Sequence, residues 1–143
     1  MEAAISDKTL ARRLVEAFGD PEAMRTLYAN DITWVMSKSL GAIAGPYDGH
    51  QAVEAFNERV WGSLYFPEVE IEILDELGND ELGAVRFIYR AKLRRTGEPY
   101  ELEYAIFARG RDGLLTEVFE SMDTLGSANL FAGQPLDANP YRG

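Results

Sequence analysis

Apolar positions along this chain follow a helical period first and a two-residue period later. Leu10, Leu14, Val15 and Phe18 recur at intervals of one and two helical turns, which draws one face of a first helix. Asp7 is placed to cap its start, and Gly19 ends it. Asp20-Pro21-Glu22 restarts a helix at once, with an N-cap, a proline at the first helical position and an acid in the first turn. Met24, Leu27 and Tyr28 share one side of that short helix. The β-branched and aromatic run from Asp31 to Met36 predicts a strand, and a glycine-punctuated loop follows from Ser37 to Gly49. Val53, Phe56 and Val60 then form the apolar face of a third helix over His50 to Trp61.

From Glu68 the period becomes two. Val69, Ile71 and Ile73 alternate with glutamates, giving a half-buried strand. Turn signals at Gly78-Asn79-Asp80, Thr96-Gly97-Glu98-Pro99 and Arg111-Asp112-Gly113 divide the rest into strands over Leu82–Arg94, Tyr100–Arg109 and Leu115–Met122. Consecutive hairpins make an antiparallel meander, and the early helices must cover one of its faces. The fold class is therefore α+β, in one domain over residues 1–125. The turn-rich stretch 126–143 is expected as a loosely ordered tail or one wrapped over a neighbouring surface.

Composition narrows the chemistry. The chain has 143 residues, no cysteine and one histidine, His50. That excludes thiol catalysis and a thiolate metal site, and makes an imidazole-based metal centre a poor fit. With 24 acidic and 14 basic residues the net charge is −10, the wrong sign for binding nucleic acid or an anionic membrane. No apolar run reaches the roughly 20 residues of a membrane span, and the first residues lack the pattern of a signal peptide. The expectation is a cytoplasmic protein.

Local text then points to a family. Leu27-Tyr28-Ala29-Asn30-Asp31-Ile32-Thr33-Trp34, Gly45-Pro46-Tyr47-Asp48-Gly49-His50-Gln51-Ala52-Val53, and Asp112-Gly113-Leu114-Leu115 with Phe119-Glu120-Ser121-Met122-Asp123-Thr124 occur in one order. They resemble the helix-to-strand junction, the glycine turn into the third helix, and the closing hairpin and last strand of the nuclear-transport-factor-2-like superfamily, particularly its SnoaL-like branch. The resemblance implies a cone-shaped curved antiparallel sheet packed on three N-terminal helices, a cystatin-like α+β roll enclosing an apolar pocket. Its members include ketosteroid isomerases, polyketide cyclases, limonene-epoxide hydrolases, dehydratases and noncatalytic binders, so fold does not fix function. The isomerase base aligns with Met36, which takes no proton. The hydrolase Arg-x-Asp pair aligns with Phe87 and Tyr89. Glu120 matches the last-strand acid of the hydrolases and is the candidate for the single pocket carboxyl of the cyclases.

Alternation selects the pocket wall. Phe87, Leu102 and Ile106 define the more apolar sheet face, with Val118, Met122, Trp34 and Met36 on the same side. The polar groups on that side are Tyr89, Tyr104 and Glu120. A carboxyl among apolar walls is desolvated into the range of general acid/base work, and a nearby phenol is a donor for an enolate oxygen. These features suggest cofactor-independent cyclisation, dehydration or isomerisation of a small hydrophobic carbonyl compound. The alternative is a noncatalytic binder or sensor of an apolar ligand, in which Glu120 serves only as an anchor. A structural reading also stands beside it, with Glu120 bonded to a tyrosine or backbone amide and the tyrosines as core rings. His50 reads as a surface residue at a helix start, and Asp31 and Asp123 as strand-end or capping residues.

On the opposite face, Glu101 and Glu103 should lie across from Arg90 and Lys92. Ile88, Phe107 and Phe119 sit among them as an apolar patch, which predicts a homodimer through this face, as related proteins pair. The competing reading is that Leu130 and Phe131 of the tail cover the patch.

Overall fold

The computed structural model describes residues 8–141. Helix α1 (Leu10–Glu16) buries Leu10, Ala11, Leu14 and Val15. Its N-cap is Thr9, whose hydroxyl accepts from the Arg12 N–H. Such a cap contributes about 1 kcal/mol. Asp7, the cap expected from sequence, lies outside the described residues. Helix α2 (Pro21–Arg25) begins as its sequence signals, with the Asp20 side chain accepting from the Ala23 N–H. Tyr28 does not belong to that helix. It opens strand β1 (Tyr28–Met36), where the chain has already turned into the sheet.

The loop after β1 holds a 3-10 segment (Lys38–Ala44) and a two-residue strand β2 (Tyr47–Asp48). Helix α3 (His50–Arg59) follows and ends in a π turn (Val60–Leu64) that brings Trp61 inward. The meander then runs as β3 (Glu70–Gly78), β4 (Leu82–Lys92), β5 (Pro99–Arg111) and β6 (Leu114–Met122). At the first hairpin Gly78 has φ +89°, and a Cβ there would lie 2.2 Å from the Leu82 carbonyl oxygen, so the turn admits only glycine.

The six strands form one sheet in the order β2-β1-β6-β5-β4-β3. The meander β3 to β6 is antiparallel as expected, but β1 pairs parallel to β6, so the sheet is mixed. Hairpin turns dictate only sequential neighbours. The return of β1 to the far edge of β6 is a long-range pairing that no local signal encodes. Helices α1 and α3 cover the inner face, where Val85, Phe87, Tyr89, Leu102, Tyr104, Ile106, Val118 and Glu120 are all buried. The outcome is the curved α+β roll.

The stretch from residue 126 is not loosely ordered throughout: its first part is helical and packs on the core. Asp123 accepts from the Gly126 N–H and caps helix α4 (Thr124–Phe131), so ordered structure continues past residue 125. Leu130 and Phe131 pack on the core, so they do not cover the outer patch. There Phe107 and Phe119 are register partners, 50% and 38% exposed, while Ile88 on the same face is half-buried opposite Glu103, four residues along the strand from Phe107.

Ion pairs on the outer face differ in one partner from the sequence expectation. Arg90 spans Glu72 at 3.0 Å and Glu101 at 2.7 Å. Arg86, not Lys92, reaches Glu103, at 3.1 Å, and also holds Asp75 at 2.7 Å. Lys92 lies opposite Pro99, four rungs along the ladder from the Ile88–Glu103 pair. These exposed pairs each contribute about 0.2–1 kcal/mol, so they fix register more than stability.

Candidate functional site

Between the inner sheet face, α3 with its π turn, the 3-10 segment and α4 lies a cavity of about 380 Å³. Its lining residues that stay exposed are Ser39, Ile43 and Ala128, on the 3-10 segment and α4. The cavity therefore has a mouth between these two elements and is not the closed pocket expected. A hydrogen bond of 2.8 Å between the Ser39 hydroxyl and Thr124 Oγ1 links the two sides of that mouth.

Trp34, Met36, Tyr89, Tyr104, Glu120 and Met122 line the cavity, as the alternation of the strands predicts. Phe87, Leu102, Ile106 and Val118 face the same side but do not line it. They are buried beneath the helices as plain core, where Phe87 stacks on Tyr104. Period-two alternation assigns a face and does not say which part of that face a helix covers.

Glu120 projects from β6 between Val118 and Met122 and is 8% exposed. Its Oε1 accepts a hydrogen bond of 3.1 Å from the indole Nε1–H of Trp34, on the neighbouring strand. Burial pushes its pKa up to about 7, and the Trp34 donor moderates that rise by favouring the carboxylate. Among the described residues Glu120 is the only ionisable carboxyl, amine, guanidinium or imidazole in the lining.

The tyrosines are not hydrogen-bonded to Glu120, so the structural reading in which that carboxyl bonds a tyrosine does not hold. The Tyr89 hydroxyl accepts from Trp61 Nε1–H at 2.9 Å, so its own proton stays free to donate. The Tyr104 hydroxyl pairs with that of Tyr100 at 2.7 Å, and Tyr100 reaches the Ser127 hydroxyl at 2.8 Å. Desolvation raises the pKa of Tyr89 and of Tyr104, with the charge of Glu120 adding in the same direction, so both are neutral donors.

Sequence reasoning missed several site residues. Trp61 and Tyr65 come from the π turn and its exit, Asn57 from α3, and Ser127 and Phe131 from α4. Asn57 carried a signal, as a polar residue beside Phe56 on the helix's apolar face. It is buried and accepts a hydrogen bond from the Tyr28 hydroxyl. His50 lies away from the cavity, paired through Nδ1 with Glu54. Asp31, inside β1, pairs with Arg111 at 3.0 Å. Among the described residues no cluster of acids and histidines is arranged to hold a metal ion.

The sequence pattern that defines the SnoaL-like domain matches residues 11–118. The chain belongs to the SnoaL-like domain family. No curated protein matches it. Among solved structures it is similar to a ketosteroid-isomerase-fold protein from Catenulispora acidiphila, in complex with trimethylamine. That match has 20% identity, covers 92% of this chain and 97% of the other, and gives a TM-score of 0.71. It is similar also to an NTF2-like protein from Burkholderia thailandensis, at 23% identity, with 88% and 95% of the two chains covered and a TM-score of 0.70. IdmH from Streptomyces antibioticus, a candidate polyketide cyclase, matches at 24% identity over 80% and 90% of the two chains, with a TM-score of 0.63. At these identities the likeness is one of fold. No helix among the described residues is long and apolar enough to cross a membrane.

Proposed function

We propose that this SnoaL-like protein binds a small hydrophobic carbonyl compound and cyclises, dehydrates or isomerises it by general acid/base catalysis without a cofactor. The observation that carries this reading is Glu120: a buried carboxyl in the wall of an apolar cavity, with a single side-chain donor and a pKa of about 7. A carboxyl tuned to that value serves as base and as acid at neutral pH.

In this reading the Glu120 carboxylate removes a proton from the carbon next to the substrate carbonyl. The electron pair of that C–H bond moves onto the carbonyl oxygen as an enolate. Tyr89 donates its free O–H to that oxygen, with Trp61 holding the phenol in place. The protonated Glu120 then returns the proton to another carbon, to a departing hydroxyl, or to the oxygen of a second carbonyl that the enolate attacks. These three endings are isomerisation, dehydration and aldol cyclisation. General acid/base catalysis of this kind supplies about 10²–10⁴-fold in rate. The cyclase and isomerase-fold relatives support the reaction class by analogy.

Exchange of α-protons tests the reading without knowing the natural substrate. With 2-tetralone in D2O, the protein should speed deuterium incorporation beyond the buffer rate, and Glu120→Gln should abolish the gain. Acceleration retained in Glu120→Gln removes Glu120 as the base.

The second reading is a noncatalytic binder. Met36 aligns with the isomerase base by family resemblance, and neither tyrosine hydrogen-bonds Glu120. In that case 2-tetralone binds and does not exchange. We also propose that two copies pair through the face carrying Ile88, Phe107 and Phe119, because the rings of Phe107 and Phe119 remain exposed side by side.

A further inference from the structure

The cavity joins one buried carboxyl to an unusual density of aromatic rings. Phe18, Trp34, Trp61, Tyr65, Tyr89 and Tyr104 all line it. Both indole N–H groups are already engaged, that of Trp34 by Glu120 and that of Trp61 by the Tyr89 hydroxyl. What the two tryptophans have left to offer a ligand is their π surface. Among the described residues no lysine, arginine or histidine stands in the lining to offer an anionic ligand a counter-charge. A buried carboxyl whose one side-chain donor is the neutral Trp34 indole has the opposite need: a cation beside it would stabilise its anionic form further. Aromatic rings around such a group add cation–π attraction, which is stronger in a desolvated site. The net charge of −10 also favours the approach of cations over anions.

We propose that this cavity selects a hydrophobic ligand bearing one positive charge, a quaternary or protonated tertiary ammonium, with Glu120 as its counter-ion. This goes beyond the acid/base reading and shares with it only the cavity and Glu120.

The pairing has a defined pH dependence. Tyr28, Tyr89, Tyr100 and Tyr104 are the titratable groups that feel the charge of Glu120, and burial raises each phenol's pKa. They stay neutral across the physiological range. The lining residues from β1, α3, the 3-10 segment and α4 are uncharged. His50 and Glu54 lie behind Tyr28, bonded to each other, with the His50 ring 5.7 Å from that of Tyr28. Glu120 is thus the group inside the cavity that changes charge near neutrality. An ammonium ligand binds the carboxylate form and displaces its proton, so affinity should rise from pH 6 to pH 8, by up to about tenfold per unit where Glu120 is mostly protonated.

Three probes of one size separate the possibilities: benzyltrimethylammonium, its neutral carbon isostere neopentylbenzene, and the anion phenylacetate. The chain's two tryptophans, Trp34 and Trp61, both line the cavity, so intrinsic fluorescence reports binding there directly. At pH 8 the ammonium should bind at least about tenfold tighter than the isostere, and phenylacetate weakest. Glu120→Gln should bring ammonium and isostere to within about threefold of each other. Equal affinity of ammonium and isostere in the unmodified protein overturns the proposal with no variant needed. A preference that survives Glu120→Gln, or tighter binding of phenylacetate, overturns it too. None of these outcomes alters the deuterium-exchange test. Loss of exchange with ammonium selectivity intact removes the catalytic reading alone.

Discussion

Trp34 Nε1 and Glu120 Oε1 meet at 3.1 Å across two parallel neighbouring strands, with Trp34 in register with Val118 and Met36 in register with Glu120. The carboxyl therefore sits on β6 directly beside the β1 position where family resemblance would place an isomerase base and where this chain has methionine. The acid is offered from the adjacent strand, and the indole fixes its orientation.

Because the Trp34 N–H stabilises the carboxylate, removing it should raise the pKa of Glu120 above about 7. Trp34→Phe keeps the ring and loses the donor. A carbon-detected NMR titration of the Glu120 carboxyl in that variant should show an upward shift. A downward shift would mean that solvent has entered the site.

Stability should depend on pH through the same residue. Glu120 has a raised folded pKa, about 7, against about 4.3 in an unfolded chain. The folded state then holds more protons between these values, so stability falls as pH rises from about 4.3 to 7 and levels off beyond. The contribution lost is on the order of 3 kcal/mol. Urea unfolding should show Glu120→Gln more stable than the parent at pH 8 by up to about that amount, with the difference closing near pH 5. An unchanged difference across that range would show that Glu120 is not what titrates.

Tyr89→Phe separates scaffold from donor. It leaves the buried indole N–H of Trp61 without its acceptor, at a cost of about 1–3 kcal/mol in unfolding free energy. If Tyr89 is the enolate donor, exchange on 2-tetralone should also fall by about 10- to 1,000-fold in protein that remains folded. Exchange at the parent rate would reduce Tyr89 to a packing role.

The outer face has its own test. Phe119→Glu places a charge beside Phe107 in the exposed patch and touches nothing in the cavity. Sedimentation should show a dimer for the parent and a monomer for the variant. A parent that is monomeric at micromolar concentration contradicts the pairing.

Much of this was legible in the order of residues. The two-residue period placed Tyr89, Tyr104 and Glu120 on the inner face, and turn residues marked each hairpin. Asp20-Pro21 located α2 to the residue. Other features depend on contacts distant in sequence. The parallel pairing of β1 with β6 joins Trp34 to Val118, and no turn between them signals it. Helix α4 is short and contains a glycine, so its weak local preference is overridden by packing, with Ser127 bonded to Tyr100 and Phe131 set 5.4 Å from the Tyr100 ring. The partners of the tyrosine hydroxyls, Trp61 and Tyr100, were not legible, because facing inward fixes a side and not a hydrogen-bond partner.

The most direct test of the central claim is the carboxyl titration of Glu120 in the unmodified protein, followed by carbon-detected NMR with Glu120→Gln to assign the signal. A buried acid/base carboxyl in this cavity should titrate at about 7. Titration near the ordinary glutamate value of about 4.3 would mean that Glu120 is solvated, and would contradict both the acid/base reading and the geometry on which it rests.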